Sequence, residues 1–372
     1  MRKLLGGLLI LLISNGSFAQ NFSNKGKDFW VAYGYHQVMT SNNAQNMVLY
    51  FATDQVTTVT VSIPGTGYTI TYPNIPANTV FTSNPLPKAG AQDARLLNES
   101  TAPENKGIHI VADRPIVAYA HIYNSSVSGA SILFPTNTLG KEYYSINYDN
   151  ISNSNGSNCW FYVIACDPGT TTVEIIPSAA TITHAAGVPF TITLTQGQVY
   201  NFMGQLTGGG GGFFTGVDLT GTKIRSIASA SGSCKRIAVY SGSGRISLTC
   251  DGSAASSDNY MVQALPKSAW GKKFLTTPTG GLPYNVFRVC VSDPTAVVLL
   301  NGAPITYPLE SSFFYEIPAT NQPLKIESDK PITVAQYITS AQSCGNTGTG
   351  NLGDPEVIYL SPVEQNISKV IW

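Results

Sequence analysis

Apolar and polar residues alternate in short runs along most of the chain. In Thr58-Val-Thr-Val61 and its continuation, Val59, Val61 and Ile63 share one face, and Thr58, Thr60 and Ser62 the other. That period of two predicts a strand with one dry side. Similar β-branched runs occur at Thr172-Val-Glu-Ile175 and Ala296-Val-Val-Leu299. Each follows an acidic turn, at Asp54, Asp167 and Asp293, whose carboxylate is expected to accept from nearby backbone N–H groups. A calcium role fits these turns poorly, because the cation wants roughly 6–8 oxygens and each turn offers one acid. No long 3.6-period segment interrupts the pattern, so it predicts an all-β protein.

The runs belong to a larger repeat. Gly26–Lys27–Asp28–Phe29 is echoed by Gly140–Lys141–Glu142–Tyr143 and Gly271–Lys272–Lys273–Phe274. Three apolar strands end in proline, at Pro135, Pro266 and Pro362. Two paired apolar runs flank Asp113–Arg114–Pro115 and Asp329–Lys330–Pro331, which reads as a hairpin with proline opening its second strand. The middle copy carries Cys234–Lys235–Arg236 there, which suggests that a cross-link replaces the rigid turn. The pattern predicts about eight short strands per copy, in three tandem β-sandwich-like units packed in series. Their expected limits are 20–139, 140–270 and 271–372. A β-propeller-like arrangement is the alternative, but its blades repeat about every 40–50 residues, far less than the period here. Ser368–Lys369 falls where a further opening is due, so the chain is expected to stop at Trp372 in mid-strand, with further C-terminal domains missing.

Composition narrows the class. Charged residues are only 11%, against about 25% in ordinary globular proteins. Lys plus Arg equals Asp plus Glu at 21 each, which argues against nucleic acid and against a polybasic membrane patch. Basic Met1–Arg2–Lys3, the apolar run Leu4 to Ile13 and small residues before Gln20 predict a signal peptide over 1–19. The apolar run is too short to span a bilayer, which takes roughly 18 residues or more, so no membrane span is expected after its removal. Export permits disulfides. The six cysteines leave about 15 pairings open, and none forms the close pair usual in zinc sites.

Candidate chemistry is sparse. His109 and His121 lie on the two flanking runs of the first hairpin, where strand pairing would bring them near each other. An acid–base or metal role is weighed against ordinary polar sheet positions, and the absence of both from the other copies favours the latter. Gly208 to Gly212 neither opens a helix nor carries a phosphate-binding lysine, so it reads as a flexible loop in front of Phe213 and Phe214. That phenylalanine pair is a weak contact candidate. Trp30 and Trp270 sit beside the Gly–Lys openings and are expected to pack at unit boundaries, and Trp160 against a disulfide at Cys159. No nucleophile elbow is present. No catalytic residue, cofactor site or metal site is assigned.

Six segments in order carry a resemblance. They are Gly26-Lys-Asp-Phe-Trp-Val-Ala-Tyr33, Gly107-Ile-His-Ile-Val-Ala-Asp-Arg-Pro-Ile116, Asp218-Leu-Thr-Gly-Thr-Lys-Ile224, Trp270-Gly-Lys-Lys-Phe274, Ser328-Asp-Lys-Pro-Ile-Thr-Val-Ala-Gln-Tyr337 and Gly353-Asp-Pro-Glu-Val-Ile-Tyr-Leu-Ser-Pro-Val-Glu-Gln365. Together they resemble the N-terminal domain of the IgGFc-binding protein family, over nearly the whole chain after the leader. The leader, ending Phe18-Ala19-Gln20, is similar to those of Bacteroidota secreted proteins. The resemblance implies a secreted or cell-surface adhesion module that binds an extracellular protein or glycan. It carries over no binding residue and does not itself imply Fc as ligand. The competing expectations are a spacer or stalk presenting other domains, and a carbohydrate-active enzyme. The spacer predicts a smooth surface, and the enzyme a cleft with two acids or a His–Asp pair unique to one unit.

Overall fold

The computed structural model describes residues 23–365 except 211, 231, 254 and 348–351. The expected signal peptide and the Ser368–Lys369 opening lie outside the described residues. The fold is nearly all β. Among the described residues the one α-helix is α1 (Gln37–Ser41), started by the His36 ring, whose Nδ1 accepts from the Val38 N–H at 3.0 Å.

The first set of strands is β1 (Lys25–Val31), β2 (Asn46–Thr53), β3 (Thr57–Ile63), β4 (Tyr68–Ile75), β5 (Thr79–Thr82), β6 (Ile108–Tyr123) and β7 (Ser128–Ile132). They form a seven-stranded antiparallel sheet in the order β4-β3-β6-β2-β5, with β1 and β7 also paired to β6. Along one edge of β6 lies first β3 and then β2; along the other, first β1 and then β7. The single long strand is thus shared by two half-sheets that fold over one interior. Val59, Val61 and Ile63 of β3 point into it, as their alternation predicts. Met47, Leu49 and Phe51 of β2 fill it from the other half.

The expected hairpin is corrected here. Its two runs do not pair with each other; they are the two arms of β6, and Asp113–Arg114–Pro115 is a corner, not a reversal. Proline marks either event locally, because it fixes φ and withdraws one N–H from the ladder. The corner is pinned by Asp113, whose Oδ1 accepts from the Thr57 hydroxyl at 2.6 Å and the Thr58 N–H at 2.8 Å.

The second set is β8 (Glu142–Tyr144), β9 (Asn150–Ser152), β10 (Cys159–Ala165), β11 (Thr170–Ile176), β12 (Phe190–Thr195), β13 (Val199–Met203), β14 (Leu206–Gly210), β15 (Phe213–Gly216), β16 (Lys223–Ile227), β17 (Ile237–Ile246) and β18 (Asp258–Gln263). Two four-stranded sheets, β12-β11-β16-β8 and β13-β10-β17-β18, repeat the half-sheets of the first set. The long strand is broken at its corner into β16 and β17. Cys234, expected to cross-link there, is a free thiol. The corner is held instead by Arg236, whose Nη2 lies 2.6 Å from Asp167 Oδ1. The remaining strands, β14, β15 and β9, form a three-stranded sheet.

The third set is β19 (Gly271–Leu275), β20 (Asn285–Val291), β21 (Val298–Leu300), β22 (Ala303–Pro304), β23 (Phe314–Thr320), β24 (Lys325–Ile338) and β25 (Glu356–Tyr359). Its order, β22-β21-β24-β20-β23 with β19 and β25 on β24, matches the first set strand for strand. Its corner, Asp329–Lys330–Pro331, is pinned alike: Asp329 Oδ1 accepts from Val297 N–H at 2.8 Å, and Lys330 Nζ meets Asp293 Oδ2 at 2.6 Å.

The recurring Gly–Lys openings now have a steric cause. A Cβ on Gly26, Gly140 or Gly271 would come within 3.0 Å of Pro135, Pro266 or Pro362 respectively. Each set therefore closes by laying its terminal proline on its opening glycine. The sets are not sealed from one another, however. The first interior runs on into Trp160, Tyr162, Ile164 and Tyr240 of the second set. The second interior likewise runs on into Val286, Cys290, Ala335 and Tyr337 of the third. One disulfide, Cys250–Cys344, ties the second set to the third. Cys159 is a free thiol, so Trp160 packs against Tyr162 and not against a disulfide.

Candidate functional site

The second and third sets each have one half-sheet whose outer face meets the set before it. In the second set this face carries Tyr162 and Tyr240, a directly opposed pair on β10 and β17. Their rings stack at 4.8 Å. Both hydroxyls donate to backbone carbonyls of the first set, Tyr162 to Ala32 at 2.5 Å and Tyr240 to Trp30 at 2.8 Å. Trp160 Nε1 donates to the Tyr35 carbonyl at 2.8 Å.

In the third set the register position of Tyr162 belongs to Arg288, opposite Ala335. Arg288 is buried, with its guanidinium 4.3 Å from the Tyr148 ring centre and 4.4 Å from that of Phe314. It pairs with Asp218 and Glu316. Its Nη1 and the Tyr337 hydroxyl both donate to the Asn147 carbonyl of the second set, at 3.0 and 2.7 Å. The rule is the same at both junctions. The end of the first strand of one set and the segment after it lie on the next set's face, and polar tips on that face bind their main-chain carbonyls.

In the first set the equivalent face is formed by β5, β2, the second arm of β6, and β7. Tyr50 and Tyr119 stand opposite each other, at the register positions of Tyr162 and Tyr240. His121 and Tyr123 follow on the same side of β6. These four side chains are half-buried, whereas Tyr162, Tyr240, Arg288 and Tyr337 are buried. The Tyr50 hydroxyl is hydrogen-bonded to His121 Nδ1 at 2.9 Å, and His121 Nε2 to the Ser128 hydroxyl at 2.9 Å. The His121 ring stacks on Tyr123 at 4.5 Å. Burial holds the His121 pKa below the ordinary histidine value, so the ring is neutral at pH 7 and hydrogen-bonds without charge. Beside the face a shallow depression of about 150 Å³ is lined by Val80, 69% exposed, and by Lys25, Asp54 and Thr79. The platform is aromatic, rigid and tipped with hydroxyls, the composition that gives large contact area at low entropic cost.

The other sequence candidates fall elsewhere. His109 is not brought to His121: the two sit on opposite arms of β6. His109 stacks on Trp30 at 4.0 Å, and its Nε2 meets Asp28 Oδ2 at 2.8 Å. Burial works against the Asp28 carboxylate, but hydrogen bonds from His109 and Thr136 outweigh it and hold its pKa below the usual value. A His–Asp pair was the enzyme's expected mark, yet this one occupies a repeated structural slot. At the same register Lys223 faces Glu142 in the second set; in the third both positions are lysines, Lys325 and Lys273, and each meets Glu327 one register step along β24. His109 thus takes the place of Lys223 in the second set's cross-strand ion pair. Among the described residues no group of three or more potential metal ligands converges.

The glycine run is corrected from a loop to a strand. Leu206–Gly210 pairs with Phe213–Gly216, and β15 in turn pairs with β9. Phe213 stands 44% exposed on this hairpin and Phe214 is half-buried, apart from the junction faces. Trp30 and Trp270 are buried in the shared cores, as expected of boundary residues. Sequence reasoning missed Tyr50, Tyr119 and Tyr123. A signal was present in the spacing of Tyr119, His121 and Tyr123, which period two places on one face. Arg288 was also signalled, as a lone charge inside the apolar run Val286–Val291.

A family model described as IgGFc binding protein matches residues 129–372, from β7 through the second and third sets. The motifs Gly26–Tyr33 and Gly107–Ile116 lie before that span. No curated protein and no solved structure matches the chain.

Proposed function

The chain belongs to the IgGFc-binding protein family, and from that premise we propose that it is a non-catalytic extracellular module that binds protein through the open face of its first set. The observation that carries the reading is the Tyr50–Tyr119–His121–Tyr123 platform, only half-buried where its counterparts are fully buried. At the two equivalent positions inside the chain, such tips bind the carbonyls of a polypeptide segment. The ligand is accordingly an extended stretch of protein main chain. Location outside the cell is supported by the leader-like start and the disulfide. We take 20–139, 140–270 and 271–372 as the repeat units, each one strand set.

The test is selection of a phage-displayed random peptide library, with immunoglobulin Fc as an added protein probe and a glycan array alongside. Peptides enriched on the parent protein should lose at least about tenfold in affinity on Tyr119→Glu, roughly 1.4 kcal/mol. Circular dichroism and melting should show the variant folded. No enrichment, or peptides held equally by the variant, would refute the reading. Binding to glycans alone that depends on the same tyrosine would replace protein by carbohydrate.

A further inference from the structure

All three sets meet at β7. One edge of this strand pairs with β6. The other lies against β18 of the second set, where a Cβ on Gly129 would meet Asn259 Nδ2 at 2.5 Å. N–H groups on that edge are taken by carboxylates from both other sets. The Ser128 N–H donates to the two oxygens of Asp258, at 2.9 and 3.2 Å. The Ala130 N–H donates to Glu356, on β25 of the third set. These same two residues of β7 stand in register with Tyr123 and His121 of the platform. A chain of contacts therefore runs from the acids to the open face. It passes from Asp258 to the Ser128 N–H, from the Ser128 hydroxyl to His121 Nε2, and from His121 Nδ1 to the Tyr50 hydroxyl.

Resting on the reading of the open face as a site for main-chain segments, we infer that the Asp258–Glu356 pair gates it: peptide is held tightly while the pair keeps a proton and weakly once both carboxyls ionise. One charge is tolerated, because N–H groups and Arg245 on β17 answer it. Two like charges against one strand are not. The second and third sets then lose their common grip on β7, Ser128 leaves His121, and the Tyr50 hydroxyl loses the partner that orients it. Other groups face the pair. Asp354, ahead of β25, adds repulsion at Asp258. His36, hydrogen-bonded to Asn259 at 3.0 Å, is pushed down to about 4 by burial, so it stays neutral. From β6 come His121, held below the ordinary histidine value by burial, and Tyr123. Burial pushes Tyr260 and Tyr359 far above the ordinary tyrosine value, and β7 itself has no titratable side chain. With the two carboxyls at about 7 and about 8, roughly a tenth of the molecules still hold a proton at pH 9, so apparent affinity falls about tenfold from its value at pH 7.

Two measurements test this, one of them without ligand. The chain has four histidines, so ring-nitrogen labelling gives a simple magnetic resonance spectrum in which His121→Gln identifies the His121 signal. That signal should move between pH 7 and 9 with a midpoint of about 8. It should stay still in Asp258→Asn and in Glu356→Gln, where one of the two charges cannot form. Library peptides selected on the parent at pH 7 should bind it about tenfold more weakly at pH 9, and should bind either variant equally at both. Circular dichroism should show the parent folded at pH 9. An unmoved His121 signal in the parent, a step that persists in both variants, or an affinity unchanged at pH 9 would overturn the inference. Those failures leave the earlier reading standing if the peptides still bind at pH 7 in a Tyr119-dependent way; the lack of any such peptide sinks that reading instead, whatever the His121 signal does.

Discussion

Replacing Gly140 by alanine tests the account of how each set closes. The glycine is not in the left-handed region, so alanine brings no backbone strain of its own. The obstacle is space. The added Cβ falls within 3.0 Å of Pro266, where ordinary carbon contacts begin near 3.4 Å. Proline cannot turn aside by changing rotamer, and the 3₁₀ turn Lys267–Ala269 behind it transmits any shift to Trp270 and the next set. Overpacking of this kind costs about 1–3 kcal/mol. Restricting the unfolded chain returns about 0.4–1 kcal/mol, leaving a net loss of about 1–2 kcal/mol. Urea unfolding followed by tryptophan fluorescence measures it. The decisive comparison repeats Gly140→Ala in a Pro266→Gly background, which removes the opposing carbon; the cost should shrink there to within about 0.5 kcal/mol, the usual limit of additivity. A cost that is negligible in the parent, or equal in the two backgrounds, refutes the steric reasoning.

Two further outcomes follow from the junctions. Arg288→Ala should cost about 3–5 kcal/mol, because it strands Asp218 and empties the space between Tyr148 and Phe314; Arg288→Met with Asp218→Asn should recover most of that in the same unfolding assay, and no recovery would mean the charge is not the cause. Stability should also fall as pH rises through neutrality. Burial pushes the Asp258 carboxyl up to about 7, against hydrogen bonds from the Ser128 and Asn259 N–H groups, and that of Glu356 up to about 8, where the Asp258 charge adds repulsion. Groups raised above their unfolded values stabilise the fold while protonated; that contribution falls away from about pH 4, where the unfolded carboxyls ionise, and is gone by about pH 8, where the folded ones have followed. Melting temperature against pH should decline over that window and flatten in Asp258→Asn; a flat parent profile would contradict the assignment.

Much of the architecture was legible from local pattern. The alternation in Thr57–Ile63, the Gly–Lys openings and the closing prolines all mark features the structure uses three times, because each is a contact within one set. What stayed hidden depends on how sets meet. Asp-Lys-Pro looks the same whether the chain reverses or merely bends, and only the partners of each arm distinguish them. The pairing of Cys250 with Cys344 requires the second and third sets to be stacked first. The Tyr50 platform is distinguished from Tyr162 and Arg288 by nothing in its own strand; it differs because no described set lies on it.

Because Gly26 touches Pro135, Gly140 touches Pro266 and Gly271 touches Pro362, the backbone comes into and goes out of every set at a single corner. A tensile load applied along the molecule therefore runs from corner to corner, and the far arms of the sheets hang outside the line of force. Between the second and third sets Cys250–Cys344 adds a parallel covalent strut, so extension under flow or shear should begin at the first junction, which packing and hydrogen bonds reinforce without a disulfide.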